Sequence, residues 1–444
     1  MRSGFVSIPA DAARFVLRNG TVPASLIAGD LPAGVVARDD LAKLDLLIAD
    51  GRIARIAAPG ALDAETAPAV DLQGGMIWPG FVDMHTHIDK GHIWPRSPNP
   101  DGTFPGALNA VAQDRDTLWT PEDVARRMEF SLACAYAHGT VAVRTHLDSR
   151  GPQHLISWPV FTTMREQWAG RIDLQAVSIL GVDSMLEDDF REELADLVAA
   201  SGGILGCVTF MIPDVREGIE ACFQAAAERG LDLDFHVDET MDPSAISLGM
   251  IAEIKLAMGF EGTVTVGHCC SLGVQDEATQ LRVLDLVAKA DLAVVSLPMC
   301  NIYLQDRLPG RTPRRRGITL VKELAERGVR VSVASDNTRD PFYAYGDMDM
   351  LDVFSQAVRI GQLDHPVGAW PRAVTATPAN VMGLEGRGVL AEGAVADLVL
   401  CNGREWTELI ARAQTDRVVL RAGKSVDTTP PDFRILDDLY AMKG

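Results

Sequence analysis

The chain has 444 residues, a formal net charge of −20 and a sequence pI of about 4.8. This acidic balance argues against nucleic acid and anionic membranes as partners, because both require a basic footprint. Hydrophobic residues make up 47% of the chain and charged residues 23%, as in an ordinary globular protein whose length allows a large core and more than one domain.

Neither a targeting segment nor a disulfide framework is evident. No stretch approaches about 18 consecutive apolar residues, and the N-terminal stretch lacks the apolar core of a signal peptide. The seven cysteines are scattered without a CxxC pair, and the adjacent Cys269 and Cys270 are explained by burial in the core. An odd, irregular set fits reduced thiols, so we expect a cytoplasmic protein with no membrane partner.

Both ends of the chain contain sequence patterns typical of β-strands. Residues 1–75 contain the stretch LDLLIADGRIARIAA, in which an Asp-Gly turn separates two apolar runs. Similar runs return near the C-terminus as VADLVLCNG and DRVVLRAGKSV. We therefore predict one small β-sandwich domain assembled from residues 1–75 and 386–444.

The middle of the chain, residues 76–385, alternates short apolar runs with amphipathic helical stretches. One such stretch, REGIEACFQAAAERG, ends in the glycine that commonly stops a helix. Eight β/α units of this kind predict an α/β fold, a (β/α)8 TIM-type barrel. The candidate strands are residues 77–85, 140–146, 174–180, 204–210, 231–236, 262–268, 292–298 and 329–335.

Histidines and an aspartate stand at the carboxyl ends of these strands, the face where such barrels build their active sites. His85 and His87 leave the first strand one residue apart, so their side chains point the same way and can chelate one ion. His236 ends the fifth strand and Asp336 follows the eighth. Three imidazoles and a carboxylate suit Zn²⁺ or Fe²⁺, so we predict a metal site at His85, His87, His236 and Asp336.

The distribution of lysines bears on the number of ions. Two-metal hydrolases on this barrel usually bridge their ions with a carboxylated lysine from a middle strand. No lysine occurs between Lys90 and Lys255, an interval that contains the second to fifth candidate strands. We therefore expect one divalent metal ion, Zn or Fe, as the cofactor.

Three further side chains have the chemistry of proton transfer near this ion. Glu239 lies three residues after His236 and can protonate a ring nitrogen during hydrolysis, although a solvated loop acid is the alternative. His268 follows the sixth strand and can orient the attacking water, while Asp336 can pass the proton of that water to a leaving amine. His146 ends the second strand, where it either lines the pocket or has a structural role at the rim of the barrel.

Several blocks, taken together and in order, resemble the amidohydrolase superfamily and its cytosine deaminase-like subgroup over nearly the whole chain. These are FVDMHTHIDK, VRTHLD, DFHVDE, NIYLQDRLPGRTPRRRGITLVKELAERGV, VASDNTRDPFYAYGDMDML and GVLAEGAVADLVL. The resemblance implies a mononuclear barrel hydrolase that releases ammonia from an amino-substituted nitrogen heterocycle. It also implies His85, His87, His236 and Asp336 as ligands, Glu239 as the proton shuttle and His268 as a catalytic histidine.

Two departures from that subgroup point to a different ring. Cytosine deaminases carry a glutamine after the third strand, where this chain has Gly181, and Asp-Asp after the eighth, where it has Asp336-Asn337. A missing side chain widens the pocket, and an amide donates as well as accepts. We expect a pterin-, pyrimidine- or triazine-like substrate other than cytosine, with Phe342 as a stacking face or a core residue.

Other functions stay open at this point. The same residues could hydrolyse a cyclic amide or the C–N bond of an N-alkylamino-triazine, and a non-catalytic binding protein is a remote alternative. The expected partner is a small heterocyclic substrate, and related barrel enzymes often form homo-oligomers. We also hypothesise that loop 91–118, rich in proline and glycine, closes over the site because it directly follows the histidine pair.

Overall fold

The structure, a computed structural model, describes residues 4–10, 12–63 and 65–441. In these ranges the chain forms sixteen strands and thirteen α-helices. The strands are β1 Arg14–Pro23, β2 Leu41–Ala49, β3 Arg52–Ala57, β4 Ala69–Asp71, β5 Met76–Pro79, β6 Phe81–Thr86, β7 Thr140–Asp148, β8 Asp173–Ile179, β9 Val208–Thr209, β10 Leu233–Val237, β11 Val264–His268, β12 Ala293–Ser296, β13 Arg330–Val333, β14 Leu398–Cys401, β15 Val418–Arg421 and β16 Lys424–Ser425.

The helices lie mostly between the strands of the central part of the chain. They are α1 Phe104–Leu118, α2 Pro121–His138, α3 His154–Trp168, α4 Asp188–Ala200, α5 Val215–Arg229, α6 Ser247–Met258, α7 Glu277–Lys289, α8 Pro298–Leu304, α9 Val321–Glu326, α10 Met350–Gly361, α11 Ala376–Val381, α12 Trp406–Ala411 and α13 Asp437–Tyr440. Within the described ranges, no helix is both long and apolar enough to span a membrane.

Strands from both ends of the chain share one eight-stranded sheet. Its order is β16-β15-β14-β5-β1-β2-β3, and β4 pairs with β1. The contact between the two ends is antiparallel, with Leu398 of β14 opposite Pro79 of β5. Alternate residues such as Phe15, Leu46 and Leu420 gather in one buried cluster, as expected for strands with one face turned inward.

The central strands follow one another in the order of a barrel. β6, β7 and β8 form one sheet, and β9 to β13 form a second, parallel sheet. Parallel bridges join the two sheets at both edges, from Val177 to Ile204 and from Thr86 to Asp336. Eight successive strands therefore close into the α/β barrel that the alternation predicted.

One predicted strand, residues 77–85, is divided in the structure. β5 ends at Pro79 and belongs to the terminal sheet, whereas β6 begins at Phe81 and belongs to the barrel. Gly80 marks the division, where an added Cβ would lie 2.2 Å from Cγ1 of Val141. Apolar periodicity alone could not place this break, because both strands are buried on both faces.

The prediction that residues 91–118 form a loop is partly wrong, because residues 104–118 form helix α1. The Thr103 side chain caps that helix by accepting a hydrogen bond from the amide of Gly106, and Pro105 occupies the first turn. Proline and a preceding threonine are start signals of a helix as well as residues of loops. The irregular part of the segment is therefore residues 91–103.

The chain divides into two compact units. The first takes the described residues of 1–83, 133–142 and 349–431, and the second takes those of 84–132, 143–348 and 432–444. This division differs from the predicted boundaries 76–385 and 386–444. In particular, residues 432–441 group with the barrel unit, where the Tyr440 hydroxyl donates to the carbonyl oxygen of His92 and Arg126 pairs with Asp438.

Candidate active site

Four strand ends bring the predicted ligands together at one end of the barrel unit. Pairing of β10 with β11 sets His236 beside Gly267 and Val237 beside His268. The backbone amide of Asp336 donates to the carbonyl oxygen of His85, and the Thr86 hydroxyl donates to that of Asp336. Residues about 250 positions apart in sequence thereby become neighbours.

The backbone at this point is adapted to crowded side chains. Gly267 is required because a Cβ there would approach Cε1 of His85 to 2.7 Å. His268 and Asp336 have φ values of 67° and 61°, in the left-handed region that side chains other than glycine rarely adopt. Such conformations cost on the order of 1 kcal/mol and collect at functional sites, where they aim a side chain.

The four predicted ligands lie at distances that suit a single ion. Nε2 of His236 is 3.1 Å from Nε2 of His85 and 3.3 Å from Nε2 of His87. Oδ1 of Asp336 is 3.2 Å from Nε2 of His87. Two ligands that each lie 2.0–2.1 Å from a tetrahedral ion are about 3.4 Å apart, so the donor set fits a divalent metal.

Burial puts these histidines in the protonation state that a metal requires. His85, His87 and His236 are buried, and burial is the largest cause that lowers the pKa of each ring well below its usual value. The Nε2 atoms of these neutral imidazoles face one another. A cation between them can bind the lone pairs of several Nε2 atoms at once, which a hydrogen bond between two rings cannot do. The cluster therefore has the donor atoms and protonation state that suit a cation.

Glu239 and His268 are joined by Asn301, a residue of α8. The Asn301 amide nitrogen lies 3.0 Å from Nδ1 of His268 and 3.3 Å from Oε1 of Glu239, and these two atoms are 3.4 Å apart. Burial and the nearby Asp336 carboxylate raise the pKa of Glu239 well above its usual value. A protonated acid beside the cation site is the form that can donate to a substrate nitrogen.

His146 departs from its predicted place in the substrate pocket. His146 is buried, and the centre of its ring lies 4.0 Å from the centre of the His85 ring. Its Nε2 lies 3.3 Å from Oδ1 of Asp234. It is not among the residues that line the large cavity described below. One of its ring nitrogens lies within 4.8 Å of a ring nitrogen of His85, His87 and His236, so His146 belongs to the same buried cluster.

A cavity of about 520 Å³ opens directly onto the candidate ligands. Helix α1 forms one wall with residues spaced by a helical turn, such as Phe104, Leu108 and Arg115. The segment predicted to act as a lid therefore contributes a wall through its helical part. The floor consists of five polar residues, His87, His236, Glu239, His268 and Asp336.

The three remaining predicted substrate residues line this cavity. Gly181 leaves the wall near Phe210 without a side chain. Phe342 faces the cavity and meets Phe104 edge to face at 5.5 Å. The amide of Asn337 is held within the protein, because its nitrogen donates to Oδ2 of Asp340 at 2.7 Å.

Two residues of the site had no predicted role. Asn301 lies in the quoted block after the seventh candidate strand, and a polar residue soon after a barrel strand is a weak signal for it. Lys90 ends the quoted block FVDMHTHIDK and lines the cavity. Burial lowers the pKa of Lys90, but Asp148 and the other nearby carboxylates outweigh it and leave that pKa raised.

Comparisons with known proteins agree with this geometry. The chain is 53% identical over 437 residues to a pterin deaminase of Rhizobium rhizogenes strain K84, covering 98% of this chain and 99% of that protein. The structure of 5-methylcytosine deaminase from Klebsiella pneumoniae with 5-fluorocytosine is similar, with a TM-score of 0.79, 26% identity and coverage of 93% and 97%.

A third relative is named for a different activity. The structure of N-isopropylammelide isopropylaminohydrolase from Burkholderia multivorans has a TM-score of 0.72 and 25% identity, with coverage of 95% of this chain and 100% of that one. The model of the amidohydrolase family matches residues 69–166 and 195–427. This chain belongs to the amidohydrolase family.

Proposed function

We propose that this protein is a metal-dependent pterin deaminase, in which water replaces the 2-amino group of a pterin and ammonia leaves. The chain is a hydrolytic deaminase of a nitrogen heterocycle, acting on a C–N bond that is not a peptide bond. The observation that carries the proposal is the buried Glu239 beside Asp336, at the floor of a cavity much larger than one six-membered ring.

His85, His87, His236 and Asp336 would hold one ion, Zn²⁺ or Fe²⁺, in this proposal. The ion would lower the pKa of water and so supply hydroxide near neutral pH. Support for a single ion comes from the four donor atoms at the separations of one tetrahedral site and from the absence of lysine between Lys90 and Lys255.

The side chains of the site divide the proton transfers between them. Oxygen of the attacking water bonds to C2 of the pterin while Glu239 gives its proton to the neighbouring ring nitrogen. Asp336 takes one proton of the water and passes it to the amino group. The C–N bond then breaks, ammonia leaves, and the proton of the remaining hydroxyl group returns to Glu239, which gives the 2-oxo product. His268 donates a hydrogen bond to the oxygen that carries the developing charge.

The dimensions of the cavity favour a fused ring. A pterin has a second ring that must pass Gly181, where the backbone presents no side chain to the cavity. The apolar wall of α1 and Phe342 offers faces against which a flat ring can stack. The relative named pterin deaminase, 53% identical, supports the same choice of substrate.

We also propose that the terminal unit is a β-sandwich domain and that the other unit is a catalytic barrel domain. The support is a single hydrophobic cluster that collects residues from strands far apart in the eight-stranded sheet, such as Ile53 of β3 and Leu420 of β15. Backbone hydrogen bonds also join β3 to the segment before β14, from Ile53 to Ala394 and from Gly393 to Ile53, as in a sheet folded over itself.

Release of ammonia by metal-loaded protein tests the proposed function. Pterin should give stoichiometric ammonia and a 2-oxo product, whereas cytosine should react at least about 100-fold more slowly, a ratio typical of sites that fit one ring and not another. Release of isopropylamine from N-isopropylammelide without ammonia from pterin would instead favour the N-alkylamino-triazine hydrolase. Absence of both products from protein with bound metal would contradict the proposal.

A further inference from the structure

We propose that Lys90 is a specificity-determining residue, whose ammonium group binds the ring edge formed by the 4-oxo oxygen and N5 of a pterin. The inference rests on the proposed function and deepens it, because it selects among 2-aminopteridines by the group at position 4. Substrates with an acceptor at that edge are accepted, and substrates with an amino group there are rejected.

The position of Lys90 is that of a ligand-binding group. The residue is 5% exposed, yet its side chain lines the cavity together with His87, Glu239 and Asp336. Its Nζ lies 3.7 Å from Oδ2 of Asp148, beyond hydrogen-bond distance. It also lies 5.2 Å from the ring centre of Phe342.

Lys90 therefore keeps donor capacity that the protein does not use. Among the described residues, none accepts a hydrogen bond from its Nζ. The Oδ1 of Asp148 accepts from Arg115 at 3.2 Å and its backbone amide donates to Asp89 at 2.8 Å, so these two contacts hold the residue with its Oδ2 at 3.7 Å from Lys90. Lys255, which is 9% exposed, shows the contrast, because its Nζ donates to the carbonyl oxygen of Asp291 at 3.1 Å.

Nearby carboxylates stabilise the charge of Lys90, but its N–H groups lie beyond hydrogen-bond distance of them, so a ligand that brings an acceptor can fill this donor capacity. In a pterin, the 4-oxo oxygen and N5 lie side by side on one edge and present adjacent lone pairs. A single ammonium, which has three donors, can bind both. The amino group of 2,4-diaminopteridine places a donor at that edge instead, so it would face Lys90 donor to donor.

Other donors at the cavity are less suited to this task. The Asn337 amide nitrogen is committed to Asp340, and Gly181 has no side chain. Arg115 is held by Asp116 and Asp148 through two ion pairs. Lys90 lines the cavity together with His87 and Glu239, which places it near the reacting end of the cavity.

Binding of the two pteridines provides the first test. Pterin and 2,4-diaminopteridine are titrated by their own fluorescence into Glu239→Gln protein, which prevents turnover. We expect pterin to bind about 10–100-fold more tightly, the range for a hydrogen bond to a charged group. Equal affinity for the two pteridines would overturn the inference even if the protein deaminates pterin. This test requires no variant of Lys90.

Lys90→Met in the same Glu239→Gln protein is the second test, with Lys255→Met as the matched control for loss of a mostly buried lysine. The Lys90 variant should bring the affinity ratio of the two pteridines to about 1–3, and the control should leave it unchanged. Lys90→Arg retains a charged donor and should restore most of the preference for pterin. An unchanged ratio in folded Lys90→Met protein, checked by its thermal transition, would overturn the inference.

The proposed function and the proposed role of Lys90 can be contradicted independently of each other. Pterin that binds with the Lys90-dependent preference but releases no ammonia from wild-type protein would contradict the proposed function and support the binding role. Pterin that is deaminated equally well by wild-type and Lys90→Met protein, with the same kcat/KM, would support the function and overturn the role of Lys90.

Discussion

The amide nitrogen of Asn301 lies 3.0 Å from Nδ1 of His268, and this contact decides which nitrogen of the imidazole carries the proton. Since the amide donates to Nδ1, the ring proton lies on Nε2, for which the described residues supply no hydrogen-bond partner. His268 is neutral because burial lowers its pKa to about 3. The ring thus presents an N–H donor to the site, and Asn301 is a positioning residue.

Replacement of Asn301 by leucine should lower kcat by about 10–100-fold and leave KM for pterin nearly unchanged, because a hydrogen bond to a group acting in the transition state is lost. Steady-state kinetics of ammonia release would measure both constants. Asn301→Asp, which accepts but does not donate when ionised, should not restore kcat. Equal loss of bound metal in the leucine variant would instead indicate a structural role.

Glu239→Gln should retain metal and lose about 10³-fold or more in kcat, because an amide cannot supply the proton that the ring nitrogen needs. Metal content by elemental analysis and ammonia release on the same sample separate the two effects. Glu261→Gln, at an exposed position, is the control and should behave as wild type. Near-normal turnover in Glu239→Gln would remove this residue from the mechanism.

His236→Asn and His146→Asn separate the predicted ligand His236 from His146, a further histidine of the same buried cluster. The first should lower bound metal to well below one ion per chain, because Nε2 of His236 is near both His85 and His87. The second should keep the metal, since Nε2 of His146 is directed to Asp234. If His146→Asn alone loses the metal, His146 is a ligand and the assigned set is wrong.

Gly181→Gln should reduce kcat/KM for pterin at least about 10-fold and raise the relative activity on a single six-membered ring such as isocytosine. The physical reason is that a long side chain would occupy the part of the cavity assigned to the second ring. Gly181→Ala is the smaller step and should have a smaller effect, although Asp183 must rotate because its Oδ1 lies 2.2 Å from the added Cβ. Unchanged substrate preference in both variants would contradict the placement of the ring.

Asp349 provides a test of stability in the terminal unit. Burial would raise its pKa, but Arg417 and His138 lower it to about 2. A carboxyl group with a folded-state pKa below its unfolded value stabilises the fold above about pH 4, and this contribution is lost as the pH falls toward 2.

Asp349→Asn should therefore destabilise the protein by about 3 kcal/mol at pH 7, since the buried Arg417 loses its partner, and by much less near pH 2.5. Thermal or denaturant unfolding at the two pH values would measure the difference. Asp285→Asn breaks an ion pair between the exposed Asp285 and the half-buried Arg327 and should have little effect at either pH. An equal loss of stability at both pH values would show that charge is not the cause.

Much of the barrel could be predicted from sequence because its strands are short apolar runs bounded by helices that end in glycine. Each chemical residue followed such a run, so the order of the blocks predicted that His85, His236 and Asp336 share one end of the barrel. The break at Gly80 and the helical state of residues 104–118 could not be predicted, because buried runs and Pro-containing segments are compatible with more than one structure.

The sequence by itself determined the chemical types of the site, because the chemistry of metal binding and proton transfer requires particular side chains and their order along the strands. Only the tertiary structure decided which atoms face one another. It brought Asn301 between Glu239 and His268, placed His146 in the histidine cluster, and left the ammonium of Lys90 at the cavity 3.7 Å from Asp148. These relationships join residues on different strands and helices, and the packing distances that create them are not encoded in the spacing of any one segment.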